Sequence, residues 1–393
     1  MKQIILSLGL MLLFTTIVSA QMHKQTDTVS NAYKPLVSAD RLKLLEHIDF
    51  IANMQYANST AFENGTYTGS SFAMNQFRLE IKGYVLDSTV FFRFRNRYTR
   101  TPTVQSVDKL DSSVDMAFVG FHLSDKLSLA FGKMIADYGG YEFDTNPINI
   151  YQYNTIIANA DDFLTGAHFA WNAPKNQQFM FQVLNARTKS FSELYDDIPE
   201  ITEAKFPAAF VGNWRGSFAD GLFSTFWSYS YIQETKGKNV QYIALGNQIK
   251  LKKTVIQYDF KYMAGQIDRL GVISDLVADD FSSFIAFDTD YIEHWLRVQH
   301  SFVPQWNVSL TAMVSDAYWN GNPETISDNH IRTAWGIIPA LEYAPFEKLN
   351  LKFFIAYVGR KYKYSSDAKA NFGLTDSNTG QLLLGFSSPL KFL

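Results

Sequence analysis

Arg93, Arg95 and Arg97 recur at every second position of STVFFRFRNRYTR, residues 88–100, with Phe92 and Phe94 on the alternate positions. Side chains of a strand point alternately to its two faces, so this spacing stacks three guanidinium groups about 7 Å apart on one surface and aromatics on the other. Like charges held that way repel, and two kinds of chemistry reward the arrangement. The arginines can pair with carboxylates to brace a polar interior. Alternatively, their fixed charge and forked donors can form a path along which an anion passes from site to site.

The segments around the ladder show the same period. In TVIQYDFKYM, Ile256, Tyr258, Phe260 and Tyr262 share one face while Gln257, Asp259 and Lys261 share the other. NQFRLEIKGY sets Phe77, Leu79 and Ile81 against Arg78, Glu80 and Lys82. Period two marks half-apolar strands. Short turns, as at Asp87-Ser88, Ser124-Asp125-Lys126, Ala219-Asp220-Gly221 and Pro304-Gln305, alternate with long polar stretches at 58–71, 101–112, 139–160, 188–206, 268–290, 320–329 and 365–378; one tight connection lies at Lys236–Asn239. About sixteen strands with short turns at one end and long loops at the other predict an all-β fold, a transmembrane antiparallel β-barrel spanning residues 41–393. In FQVLNARTKS and LAFGKMIADY the alternation changes face midway, which predicts a bulge in each.

Composition agrees. The 393 residues are 16% aromatic and 19% charged, with a mean hydropathy of −0.12. No apolar run after the N-terminus is long enough for a membrane helix, whereas alternating strands span a bilayer without one. A soluble β-sandwich is the competing architecture, but large apolar residues such as Phe210, Trp214 and Phe218 recur on the face that such a protein would keep polar. Formal charge is −3, close to neutral, and says nothing useful about partners; no nucleic-acid partner is expected.

The chain begins with Lys2, an apolar run from Ile4 to Val18, and small residues before Gln21. This predicts a signal peptide over residues 1–20, cut at Ala20-Gln21, then an N-terminal periplasmic segment over 21–40. An exported chain with no cysteine has neither disulfides nor a lipidated N-terminal Cys. The final strand carries Phe392 near its end, resembling the terminal aromatic read by the barrel-assembly machinery, although Pro389 is expected to interrupt that strand.

Arginine on the lipid face costs about 2–4 kcal/mol at the bilayer midplane, so Arg93, Arg95 and Arg97 are expected inside the barrel. The same argument turns Arg78, Lys82, Arg215, Lys261, Arg297 and Arg332 inward, with Glu80, Asp259 and Glu293 among them. No P-loop, His/Cys metal spacing or glycine fingerprint occurs, so no cofactor, metal or catalytic residue is assigned. The scattered histidines, His122, His168, His294, His300 and His330, form no motif joining a nucleophile to a base. An outer-membrane enzyme and an adhesion barrel with functional loops remain the alternatives from other classes.

FFRFRNRYT (91–99) and GKMIADYGGYEFDTNPINIYQYN (132–154) resemble the phosphate-selective porins O and P. The resemblance implies a homotrimeric sixteen-stranded outer-membrane channel, set in outer-membrane lipid, for passive passage of phosphate, other small anions or hydrophilic solutes. It also implies that the third extracellular loop folds inward, with arginines down the lumen and lysines at the constriction. Residues 139–162 depart from that pattern. They contain no Lys or Arg, but carry Glu142, Asp144, Asp161 and Asp162. Acidic groups opposite an arginine wall would create a transverse field, as in a general-diffusion porin without anion selectivity.

Overall fold

A computed structural model describes residues 47–195, 198, 201–278, 284–322, 327–346 and 349–392. The expected signal peptide and the 21–40 segment lie outside the described residues. Sixteen strands follow in chain order: β1 Ile48–Glu63, β2 Thr66–Val85, β3 Val90–Arg97, β4 Val114–His122, β5 Leu127–Ile135, β6 Phe163–Ala173, β7 Gln177–Asn185 and β8 Glu203–Phe218. The second half comprises β9 Phe223–Thr235, β10 Lys238–Lys250, β11 Thr254–Gly265, β12 Thr289–Val303, β13 Trp306–Trp319, β14 His330–Tyr343, β15 Lys352–Tyr364 and β16 Ser377–Lys391. Each pairs antiparallel with its neighbours in sequence, and β1 pairs with β16 from Ile51↔Lys391 to Glu63↔Thr379, closing the barrel. Closure removes every free sheet edge along the shared height of the wall, which is what lets strands cross a bilayer.

The wall is uneven. β3 to β7 have 8 to 11 residues, whereas β8 to β16 have 12 to 16. The outer face is apolar over most of its height, with Phe94, Phe131, Phe181, Leu310 and Ile355 among its exposed side chains. The inner face holds most of the charges of the wall.

Three expectations change. Residues 58–71 are not a loop: β1 and β2 continue as a hairpin that turns at Asn64-Gly65, both at positive φ. Apart from the Phe62–Tyr67 pair that stretch is mostly polar, so it shows no apolar alternation to read. FQVLNARTKS and LAFGKMIADY contain no bulge; β7 and β5 keep register to their ends at Asn185 and Ile135, and the face changes because the strand stops. Pro389 does not interrupt β16, where it pairs with Asn53. β15 has already ended opposite Ser387, so Pro389 occupies an edge position, where a missing N–H is tolerated.

Between β5 and β6 the chain turns into the barrel. Gly139 and Gly140 begin this entry at φ of 83° and 86°, a region that side chains disfavour. A Cβ on Gly140 would also lie 2.8 Å from an Asp259 oxygen, so the backbone approaches the wall as only glycine allows. Tyr141, Ile150, Phe226, Trp295, Met313 and Phe354 belong to one buried apolar cluster that seats this loop on the far wall. A second cluster, including Tyr138, Phe143, Ile156, Tyr195 and Ile273, fills the space between loops. These clusters fill part of the barrel and leave a cavity against β2 to β4.

Candidate functional site

The inward loop is tied to the wall by its own backbone and by buried charge. Asp259 on β11 accepts from the backbone N–H groups of Tyr141 and Glu142, both at 2.8 Å. Glu293 on β12 accepts from Ile156 N at 2.7 Å, and Glu142 accepts from Asn154 N at 2.6 Å. Lys261 links these acids, pairing with Glu142 and lying 3.6 Å from Glu293, with all three side chains fully buried. Further along, Asn146 donates to Asn53, Gln55 to Ile148 O, and Lys352 to Asn149. Asn154 donates to Val314 O. Among the described residues, none of the loop's hydrogen bonds reaches β2, β3 or β4.

What faces those strands is a cavity of about 620 Å³. Arg78, Lys82, Arg93, Arg95, Arg97 and Arg215 all line it, joined by Arg100. On the loop side lie Asp137, Asp144 and Asp162, with Thr145 and Asn146. Arg93 pairs with Glu80 at 3.1 Å and Lys82 with Asp49 at 3.8 Å. The guanidinium planes of Arg95 and Arg97 approach the Phe163 ring at 5.2 and 5.4 Å from its centroid, a cation–π contact that holds them side by side.

The remaining repulsion is met by Asp115, which the alternation of β4 does not place here. By strict alternation Asp115 belongs with Ala117, Val119 and Phe121 on the lipid face. A register shift at Arg95/Asn96 inserts it as an extra residue, and the fully buried carboxylate turns inward. It lies 2.9 Å from Arg97 Nη2, 3.2 Å from Arg95 Nε and 3.6 Å from Arg78 Nε. One carboxylate thus binds three guanidinium groups together. The only signal in the sequence is an acid on an otherwise apolar strand face, which a bulge resolves.

The other sequence-predicted residues divide. Lys261 stands behind the loop as its anchor. Arg297 on β12 and Arg332 on β14 are buried away from the cavity, Arg332 over the Tyr362 ring at 5.5 Å. Of the loop acids, Glu142 is committed to Lys261, and Asp161 accepts from Thr188 N and Oγ1 at 3.0 and 2.9 Å. Asp144 pairs with Arg215 at 2.9 Å. Asp162 borders the ladder; burial pushes its carboxyl up to about 6, against the pull of Arg97. Burial also raises Asp137, with Arg215 opposing.

Solved structures share this architecture at low identity. The outer membrane channel DcaP of Acinetobacter baumannii matches with a TM-score of 0.60 at 11% identity, covering 86% of this chain and 96% of its own. OmpF of Salmonella typhi, solved in complex with daunomycin, gives 0.54 at 13% identity, covering 86% and 97%. OmpT of Vibrio cholerae gives 0.53 at 9%, covering 87% and 97%. At these identities the likeness concerns the fold. No curated protein matches the sequence. The pattern of the family described as phosphate-selective porin O and P matches residues 49–276, more than half of the chain. The chain belongs to that family of outer-membrane channels.

Proposed function

We propose that the protein is a passive, anion-preferring porin whose pathway is the arginine wall of β2 and β3, centred on Arg93, Arg95 and Arg97. Arg78, Lys82 and Arg215 extend that wall. Lys261, Arg297 and Arg332, expected in the pathway from the alternation of their strands, lie outside that wall: Lys261 is held behind the loop by Glu142, and Arg297 and Arg332 are buried away from the cavity. The carrying observation is the charge around the passage: seven basic residues line it against four acidic ones, Glu80, Asp137, Asp144 and Asp162. Counting buried Asp115 as well leaves a formal charge of +2. Of the ladder arginines Arg93 is the most open, its side chain 35% exposed, so its guanidinium is available to water or to a passing anion. Phosphate and other small inorganic anions fit that chemistry.

The acids on the loop side favour a second reading, a transverse field that sorts solutes by dipole without strong anion preference. Chloride current through single channels in planar bilayers separates the two when phosphate is added. The anion pathway predicts block by phosphate that weakens in Arg93→Ala and Arg95→Ala; phosphate without effect on the current refutes it. The same reading includes export by a signal peptide cleaved at Ala20-Gln21, insertion by the barrel-assembly machinery, and assembly as a homotrimer. One solved OmpT from Vibrio cholerae is described as a trimer form.

A further inference from the structure

The outer wall of the barrel carries a second basic feature that the passage does not use. On β15, Arg360 and Tyr362 point inward, while the alternate residues Lys361 and Lys363 are exposed on the lipid-facing side. They sit at the loop end of the strand, which finishes at Tyr364. Neither lysine forms an ion pair among the described residues; the neighbouring pairs on this side are Lys369–Asp376 and His330–Asp316. Trp335 and Thr333 on β14 stand directly opposite Lys361 and Lys363 in the register. These four residues, with His330 and Asp328, border a cavity of about 630 Å³.

Below it, towards the middle of the wall, lies an apolar trough of about 670 Å³ that shares Trp335 and Lys361. Ala312, Val314 and Gly359 form its floor, and Tyr258, Ile337 and Tyr357 rise around it. The floor is low because Gly359 faces Gly380 across the β15–β16 pair. Tyr357 lies over Gly380 so closely that a Cβ there would meet its hydroxyl at 2.7 Å.

The neighbouring carboxylates are already engaged, Asp376, which feels the charge of Lys363, by its pair with Lys369 at 2.9 Å. Asp316 accepts from the Thr333 hydroxyl at 2.5 Å and lies 3.4 Å from His330 Nε2, and Asp328 accepts from His330 N at 3.0 Å. Two unpaired ammonium groups therefore crown an apolar groove at the membrane boundary, with an aromatic side chain between the two levels. Lysines at that depth are tolerated in a barrel wall, and they attract anionic headgroups. We propose that this face of β12 to β16 binds a phosphorylated lipid of the leaflet at the loop end, with Lys361 and Lys363 on its phosphate and an acyl chain along the trough.

The test is native mass spectrometry of the full barrel in neutral detergent, titrated with bisphosphorylated lipid A or with the same lipid stripped of phosphate. Bound lipid is expected for the phosphorylated form. Its affinity should fall about 25-fold in K361Q/K363Q, roughly fivefold per lysine. Affinity should be retained in K252Q/K253Q, which removes the same charge from the opposite end of the wall. Ala312→Phe, which fills the trough without changing charge, should also weaken binding. Equal affinity for the two lipids, or a K361Q/K363Q barrel that binds like the parent, overturns the proposal. So does a trough occupied by a second copy of the chain that admits no lipid.

Discussion

Asp115→Asn removes the carboxylate beneath the ladder while keeping its shape. Arg78, Arg95 and Arg97 all lie within 3.6 Å of it, and its side chain is fully buried. The formal charge around the passage then rises from +2 to +3. One unit charge felt at about 8 Å through water is worth roughly 0.5 kcal/mol, and roughly 0.4 kcal/mol survives in ~10 mM salt, where the screening length is about 30 Å. That doubles anion entry and halves cation entry, so the chloride-to-potassium permeability ratio should rise about fourfold. The three arginines also lose their common partner, which lowers stability by at most about 3–5 kcal/mol; Arg97, 16% exposed, retains water. The assay is the zero-current potential across a tenfold KCl gradient at low salt, with heat-modifiable mobility on a detergent gel confirming a closed barrel. A folded D115N channel with an unchanged or lower ratio would refute the claim that Asp115 offsets the charge of the passage.

Asp162, pushed up to about 6, and Asp137, raised by burial, should make selectivity depend on pH if the cavity is the solute pathway. Below its raised pKa, Asp162 gains a proton and loses its negative charge, so anion preference should grow between pH 7.5 and 5, and D162N should flatten that rise in zero-current potential. Lys261→Met leaves Glu142 and Glu293 buried without their cation, costing about 3–5 kcal/mol of loop anchorage. The expected result is noisier single-channel current and faster proteolysis within residues 139–162, with the barrel still closed; a quiet, protease-resistant K261M channel would show that the backbone contacts to Asp259 suffice.

The direction of the ladder was legible because period two leaves no choice: with Phe92 and Phe94 facing lipid, the arginines must face in. The strand count was legible for a related reason, since turns and loops alternate in length. Neither argument reaches Asp115, because a bulge breaks the period on which both depend, and the register shift is a property of the β3–β4 pair, not of either strand alone. The role of Lys261 was hidden by distance, its partner Glu142 lying 119 residues away on a loop whose path alternation does not encode. The acids of that loop read alike in the sequence, yet the fold commits Glu142 and Asp161 to structure and leaves Asp144 and Asp162 at the cavity. Polarity without periodicity misled in the other direction at residues 58–71, where a solvated hairpin reads as a loop.

The central claim is that the lumen presents net positive charge to a solute. The most direct measurement is the sign of the zero-current potential of the unmodified channel in a KCl gradient at pH 7.5. A potential that tends toward the chloride equilibrium value, and that moves toward zero when Arg93, Arg95 and Arg97 are replaced together by Gln, is the predicted result. A potential that tends toward the potassium value, unchanged by that replacement, would contradict it.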